Sequence, residues 1–122
     1  MIGYVTLGTN DIDRAGKFYD SLLGTIGAKR WMSSDSFIAW TGPDGGPAVS
    51  VIKPFDKKAA TIGNGVMVAL AMDSKAKVDA LYKKALELGG KDEGPPGPRG
   101  DNFYAGYFRD LDGNKLNAFF MG

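Results

Sequence analysis

Apolar and polar positions along the chain predict a strand, a helix and then a run of further strands. Residues 4–8 (YVTLG) alternate with the period of two that is typical of a half-buried strand. Asn10-Asp11 then supplies an N-terminal cap, apolar side chains follow at helical spacing, and Gly24 ends the helix. Short strands are predicted next over residues 29–32, 36–41 and 48–53.

The same order of elements restarts in the second half of the chain. Residues 66–72 (VMVALAM) predict a strand, and Asp73-Ser74 caps a helix that runs to about Leu88. A shift of 63 residues aligns Val5 with Val68 and Leu7 with Leu70. This internal repeat predicts a single α+β domain of two tandem β-α-β-β-β modules: module 1 over about 1–55, a linker over 56–64 and module 2 over about 65–122.

The alternation of side chains along a strand assigns each residue to one face of its sheet. If Val5 packs on the first helix, Tyr4 lies on the opposite face. By the repeat, Met67 lies on the face opposite the second helix. The two faces that carry no helix are therefore available to form a cleft.

Composition narrows the chemistry, because the 122 residues include no His and no Cys. Thiolate nucleophiles, Ser–His pairs and zinc fingers are excluded. A net charge of +1 gives no reason to expect binding to nucleic acid or to an anionic membrane surface. There is no apolar run of about 20 residues and no leader-like segment, so we expect a cytoplasmic protein.

Two motifs resemble a known family. Residues 4–19 (YVTLGTNDIDRAGKFY) and 104–117 (YAGYFRDLDGNKLN) are similar to the opening and closing motifs of the vicinal oxygen chelate superfamily, with Leu111 where the family usually has Pro. That superfamily includes glyoxalase I, fosfomycin- and bleomycin-resistance proteins and extradiol dioxygenases. The resemblance implies curled mixed sheets whose two modules form a cleft, and chains of this length that are commonly homodimers.

The resemblance also implies where a divalent metal would be held, with His, Glu or Gln on the first and last strands of each module. Those positions fall on Tyr4, Met67, Asn117 and one of Val49, Ser50 or Val51. A phenol, a thioether, an amide and a hydroxyl supply no anionic ligand near pH 7. We therefore expect no metal and no other cofactor.

The leading hypothesis is a metal-independent protein that sequesters or carries a small organic ligand in an aromatic cleft, because aromatic walls suit planar or apolar ligands. The alternatives are a lyase or isomerase that acts on a small carbonyl compound, with Tyr4 as acid and base, and an interaction module whose cleft is filled by side chains. Alternation along the last strand places Phe119 on the same face as Asn117. The predicted ligand-binding residues are Tyr4, Trp40, Met67, Tyr104, Asn117 and Phe119.

Three local predictions concern charged and Pro-rich segments. Residues 94–100 (GPPGPRG) are interpreted as a stiff loop, with Arg99 either solvated or at the rim of the site. Arg109 is expected to pair with its neighbour Asp110. The lysines at positions 53, 57 and 58 are interpreted as a solvated edge.

Overall fold

The computed structural model describes residues 1–122, which divide into two compact units, Met1–Ile62 and Gly63–Gly122. Each unit holds one β-α-β-β-β module. Module 1 consists of β1 (Tyr4–Gly8), α1 (Ile12–Gly24), β2 (Lys29–Ser33), β3 (Phe37–Gly42) and β4 (Gly45–Ile52). Module 2 consists of β5 (Val68–Ala71), α2 (Lys75–Glu87), β6 (Lys91–Pro98), β7 (Phe103–Arg109) and β8 (Lys115–Met121). The predicted α+β fold is confirmed.

Module 1 is a four-stranded mixed sheet in the order β1-β4-β3-β2, in which β1 runs parallel to β4. Helix α1 begins where predicted, because the Asp11 carboxylate accepts a hydrogen bond from the backbone N–H of Arg14 at 3.0 Å. Its apolar stripe is buried against the sheet. The buried residues are Ile12, Ala15, Gly16, Phe18, Tyr19, Leu22 and Leu23.

Module 2 repeats that order as β5-β8-β7-β6, with β5 parallel to β8. The cap of α2 is Ser74, whose hydroxyl accepts from the backbone N–H of Lys77 at 3.2 Å. Val78, Leu81 and Ala85 form the buried stripe of this helix. Strand β5 is shorter than the predicted 66–72. Neither helix has the length and apolar character that crossing a membrane requires.

The prediction of a loop over residues 94–100 was wrong, because most of this segment belongs to strand β6. Proline cannot donate to a neighbouring strand, but β6 is an edge strand and needs hydrogen bonds on one side only. The pairing with β7 is interrupted twice, on either side of Gly94, whose φ is +152°. Local turn signals therefore mark irregularities of an edge strand here rather than a loop.

The closing hairpin also differs from its prediction. Arg109 pairs with Glu93 on β6 at 2.8 Å and donates to the carbonyl of Gly113 at 3.1 Å. The carboxylate of Asp110 turns inward and accepts from the backbone N–H groups of Asp112 and Asn114, both at 2.9 Å. The expected pair between Arg109 and Asp110 was therefore wrong, since the turn itself engages the aspartate.

Candidate functional site

Each sheet has one face under its own helix and one face without it, which we call the helix-free face. In module 1, Ile38 faces α1, since a Cβ added to Gly16 of α1 would lie 2.9 Å from its side chain. In module 2, Gly106 faces α2, since an added Cβ there would lie 3.3 Å from the ring of Tyr82. Residues one position away from these lie on the helix-free faces.

The register of the strands defines a central row of three residues on each helix-free face. In module 1 the central row is Thr6, Ser50 and Ala39, because Ser50 pairs with the other two. In module 2 the central row is Ala69, Asn117 and Tyr107, because Asn117 pairs with the other two. Ser50 and Asn117 thus occupy equivalent places in the two modules.

Asn117 is 1% exposed, and its side-chain oxygen Oδ1 is buried without a hydrogen-bond partner. No other buried polar atom of a side chain in this structure lacks a hydrogen-bond partner. An unpaired buried acceptor costs about 1–3 kcal/mol. The helix-free face of module 2 therefore carries an unsatisfied polar atom at Asn117.

Phe119 lies on the same face as Asn117, as predicted from the alternation along β8. Its ring stacks on that of Phe103, with centroids 5.4 Å apart and an interplanar angle of 16°. Ala105 pairs with Phe119 and Ala71 flanks it on the other side. Small side chains beside a stacked aromatic pair give this face an apolar, partly flat surface.

Tyr107, which lies next to Asn117, is not among the predicted ligand-binding residues. The Arg99 guanidinium lies 5.4 Å from the ring centroid, and the Lys115 ammonium lies 5.5 Å from it. Arg99 is also held by the carbonyl of Pro95 at 2.7 Å, so it lies against the sheet. The pairing of Tyr107 with Asn117 is the signal that identifies it, and this pairing requires the register of β7 and β8.

Trp40 lies on the helix side of module 1 instead. It is 1% exposed, its ring centroid lies 5.4 Å from that of Tyr19 on α1, and its indole Nε1 donates to Asp20 at 2.8 Å. Asp20 also forms an ion pair with Arg30, whose Nη2 lies 2.8 Å from Oδ2 of the aspartate. Hydrogen bonding from Arg30, and then from Trp40, lowers the pKa of Asp20. Trp40 is therefore part of the core beneath α1.

Tyr104 lies on the helix side of module 2, as Trp40 does in module 1. Its hydroxyl donates to Asp79 of α2 at 2.7 Å, and the ammonium of Lys75 lies 5.6 Å from its ring centroid. The bond to Asp79 raises the pKa of the Tyr104 phenol. The structure therefore brings Asn117 and Phe119 together but places Trp40 and Tyr104 on the helix sides.

Tyr4 and Met67 belong to different units and are described separately. Tyr4 is 55% exposed and meets Phe37 edge to face, with ring centroids 6.1 Å apart. Its hydroxyl makes no hydrogen bond in the structure. Met67 is 39% exposed and lies just before β5.

The metal ligands implied by the family resemblance are tested by the donor atoms present. The uncertain fourth position is Ser50, the member of the Val49–Val51 stretch that lies on the helix-free face, and its hydroxyl donates to the Val5 carbonyl at 2.6 Å. No cluster of three or more acidic side chains is placed to hold a metal ion. A divalent cation does not fit this set of side chains.

Comparison with known proteins gives a consistent result. The sequence profile of the glyoxalase/bleomycin resistance protein/dioxygenase superfamily matches residues 1–118. A glyoxalase/bleomycin resistance protein from Albidiferax ferrireducens T118 is 36% identical, and the match covers 98% of this chain and 97% of that one with a TM-score of 0.89. No curated protein matches the chain.

More distant solved structures share the fold alone. A hypothetical protein from S. aureus is 24% identical, and the match covers 98% of this chain and 92% of that one with a TM-score of 0.77. A lactoylglutathione lyase from Agrobacterium tumefaciens is 19% identical, with the same coverage and a TM-score of 0.73. The resemblance drawn from the two sequence motifs is confirmed.

Proposed function

Since the chain belongs to the glyoxalase/bleomycin resistance protein/dioxygenase superfamily, we propose that it binds a small organic ligand and holds it without a metal ion. The ligand lies on the helix-free face of module 2, against the central row. One observation carries this proposal: Asn117 Oδ1 is buried and accepts no hydrogen bond.

An N–H or O–H donor on the ligand would recover the free energy that the unpaired oxygen now costs, about 1–3 kcal/mol. Within the central row, Ala69 has no side-chain donor to offer. The Tyr107 hydroxyl, in the same row, makes no hydrogen bond to Asn117 either. These observations support a ligand donor as the partner of this atom. A gain of this size corresponds to roughly a fivefold to 150-fold preference for donor-bearing ligands.

The surroundings of Asn117 indicate the rest of the ligand. The stacked pair Phe103 and Phe119 suits a planar, apolar body. Tyr107, with Arg99 and Lys115 close to its ring, borders the site with positive charge. The ligand class that matches these features is a planar heteroaromatic compound with a hydrogen-bond donor.

Indole and 1-methylindole test the proposal, because N-methylation replaces the N–H donor by a methyl group and leaves the ring system unchanged. We expect indole to bind at least about fivefold more tightly in an NMR titration that follows the backbone amides of residues 105–107 and 117–119, which remain observable in the Asn117→Leu variant. Asn117→Leu should remove this preference. Equal affinity of the two probes for the wild-type protein, or no binding of either, would contradict the proposal.

A separate experiment tests whether ligand binding requires a metal ion. Dialysis against a chelator should leave the affinity for indole unchanged. Elemental analysis that finds one tightly held divalent ion per chain would disprove this part of the proposal. The homodimer and the cytoplasmic location stay predictions, and sedimentation equilibrium of the purified chain tests the first of them.

A further inference from the structure

Module 1 contains a pocket of about 640 Å³ where β1 and β4 end and the chain continues into the 54–60 segment. This volume lies within the range of roughly 300–1,000 Å³ that is typical of small-molecule sites. The lining residues of the pocket all belong to module 1. They are Thr9, Asn10, Ser36, Ile52, Lys53, Pro54, Phe55, Lys57, Lys58 and Ala59.

The 54–60 segment forms a fixed wall of this pocket. The side chain of Asn10 accepts from the backbone N–H of Ala60 at 2.7 Å and donates to the carbonyl of Ala60 at 3.3 Å. The segment also passes close to Gly8, where an added Cβ would lie 3.0 Å from the Cβ of Ala60. Two hydrogen bonds and a close backbone approach therefore hold the wall in place.

One part of the lining is apolar. Ile52, Pro54 and Ala59 face the pocket, and Phe55 is 97% exposed at its edge. A single exposed aromatic residue is ordinary on a protein surface. Phe55, however, belongs to the 54–60 segment, which Asn10 holds in place, and it borders the apolar part of the pocket. An apolar ligand in the pocket would therefore bury its ring.

The other part of the lining is positively charged. Lys53, Lys57 and Lys58 line the pocket, and none of them forms an ion pair or lies over an aromatic ring. The carboxylate within this segment is Asp56, which accepts from the backbone N–H of Lys58 at 3.0 Å. Three ammonium groups against one carboxylate leave an excess of positive charge at the rim.

We propose that this pocket is a second binding site, specific for an amphiphilic organic anion. The apolar body of the ligand packs against Ile52, Pro54 and Phe55, and its carboxylate or phosphate lies among the three lysines. The site shares no residue with the central row of module 2, so it stands independently of the proposed function. The three lysines were interpreted from the sequence as a solvated edge. In this proposal they bind the same anionic group of the ligand.

Three naphthalene probes test the site: 1-naphthoate, 1-naphthyl phosphate and the neutral 1-naphthamide. Chemical-shift changes of the backbone amides of residues 53 and 55–60 report on the pocket in an NMR titration at low ionic strength. We expect at least one of the two anions to bind at least tenfold more tightly than the amide. The preference should shrink in 0.5 M salt, because ions screen exposed charges. Comparison of the two anions then distinguishes a carboxylate from a phosphate ligand.

A triple variant locates the charge. Replacing each of the three lysines by Gln should abolish the preference for the anions and leave the affinity for the amide within twofold. A matched control removes the same charge from exposed lysines outside the pocket and should keep the preference. The control substitutions are Lys17→Gln, Lys29→Gln and Lys83→Gln.

Phe55→Ser tests the apolar part and should weaken all three probes by roughly tenfold, the loss expected when part of an aromatic contact is removed. The proposal is overturned if none of the three probes binds, or if naphthamide binds wild-type protein as tightly as both anions. It is also overturned if the control triple variant removes the preference. Indole binding at Asn117 is measured on separate signals, so either site can fail alone.

Discussion

The two modules have the same strand order, yet the central rows of their helix-free faces are chemically different. In module 1, the short hydroxyl of Ser50 reaches the carbonyl of Val5 on the neighbouring strand at 2.6 Å and is satisfied there. In module 2, the equivalent residue is Asn117, whose Oδ1 has no partner. A hydroxyl can donate to a strand carbonyl, whereas the amide oxygen can only accept and needs a donor. The buried polar side chain in the central row of module 1 is therefore satisfied within the module, which closes that row. The side-chain oxygen in the central row of module 2 needs a donor from outside the row.

A second comparison lies within module 2, where two buried asparagines are three positions apart. Asn114 donates its side-chain N–H to the carboxylate of Asp110 at 3.0 Å, and its backbone N–H donates to the same carboxylate. Asn117 has no such partner for its Oδ1. Identical substitutions at these two positions should therefore change the free energy of unfolding in opposite directions.

Asn114→Leu should produce the larger change. Asp110 is 4% exposed, and the substitution removes one hydrogen-bond donor from its buried charge. We expect the free energy of unfolding to fall by about 3 kcal/mol, the upper range for hydrogen bonds to charged groups. Urea unfolding followed by far-UV circular dichroism measures it. A loss below about 0.5 kcal/mol would show that the turn does not depend on this side chain.

Asn117→Leu should raise the free energy of unfolding, since leucine has a similar volume and needs no hydrogen bond. Removing the unpaired buried acceptor should raise the free energy of unfolding by about 1–3 kcal/mol. The same urea titration measures it, with an unchanged m value. The same variant is expected to lose its preference for indole, so stability and binding would move in opposite directions. If Asn117→Leu destabilised the protein as Asn114→Leu does, the distinction between the two asparagines would be wrong.

Ser50→Ala probes the closed row of module 1. The substitution removes the hydrogen bond to Val5 without leaving a large void, so the free energy of unfolding should fall by about 1 kcal/mol. Thr6→Ala is the matched control, because Thr6 belongs to the same row, is exposed and makes no side-chain hydrogen bond. That variant should change stability by less than about 0.5 kcal/mol. Equal effects of the two variants would remove the evidence that module 1 is closed by Ser50.

The architecture could be predicted because its signals are local and occur twice. Asp11 and Ser74 cap their helices in the way that their sequence positions indicate. The apolar stripes of both helices follow from spacing alone. The edge strand β6 could not be predicted, because Pro and Gly signal turns locally, whereas the place of β6 at the edge of the sheet is a property of the whole module.

The candidate site was predictable only in part. The alternation along β8 correctly grouped Asn117 with Phe119. Strand β7, in contrast, has aromatic residues on both faces, so alternation cannot say that Tyr104 faces the helix and Tyr107 does not. Trp40 shares the helix-facing side of β3 with Ile38, and its contact with Asp20, twenty positions away, is not specified by any local pattern.

The helix sides of the modules differ as well, and this contrast gives the smallest expected effect. In module 1, the carboxylate of Asp20 is held by the cation of Arg30. In module 2, the carboxylate of Asp92 is held by the phenol of Tyr82 at 2.7 Å. Burial, followed by the hydrogen bond to Asp92, raises the pKa of Tyr82 to about 12. The contact in module 2 should therefore be lost in alkali, whereas Arg30, whose pKa is raised by Asp20, stays protonated.

Tyr82→Phe should lower the free energy of unfolding by about 0.5 kcal/mol at pH 9, a small value because the contact is near the surface. A raised pKa means that the unfolded chain ionises first, near its ordinary value of about 10. The contribution of the Tyr82 hydroxyl is therefore complete below about pH 10 and disappears as the pH rises through about 12. Urea titrations from pH 9 to 12 should show the wild type losing stability relative to Tyr82→Phe. Asp20→Asn is the control, and its difference from wild type should stay constant over the same interval. A constant difference for Tyr82→Phe would mean that the phenol contributes nothing through Asp92 and that the helix sides of the two modules respond to pH alike.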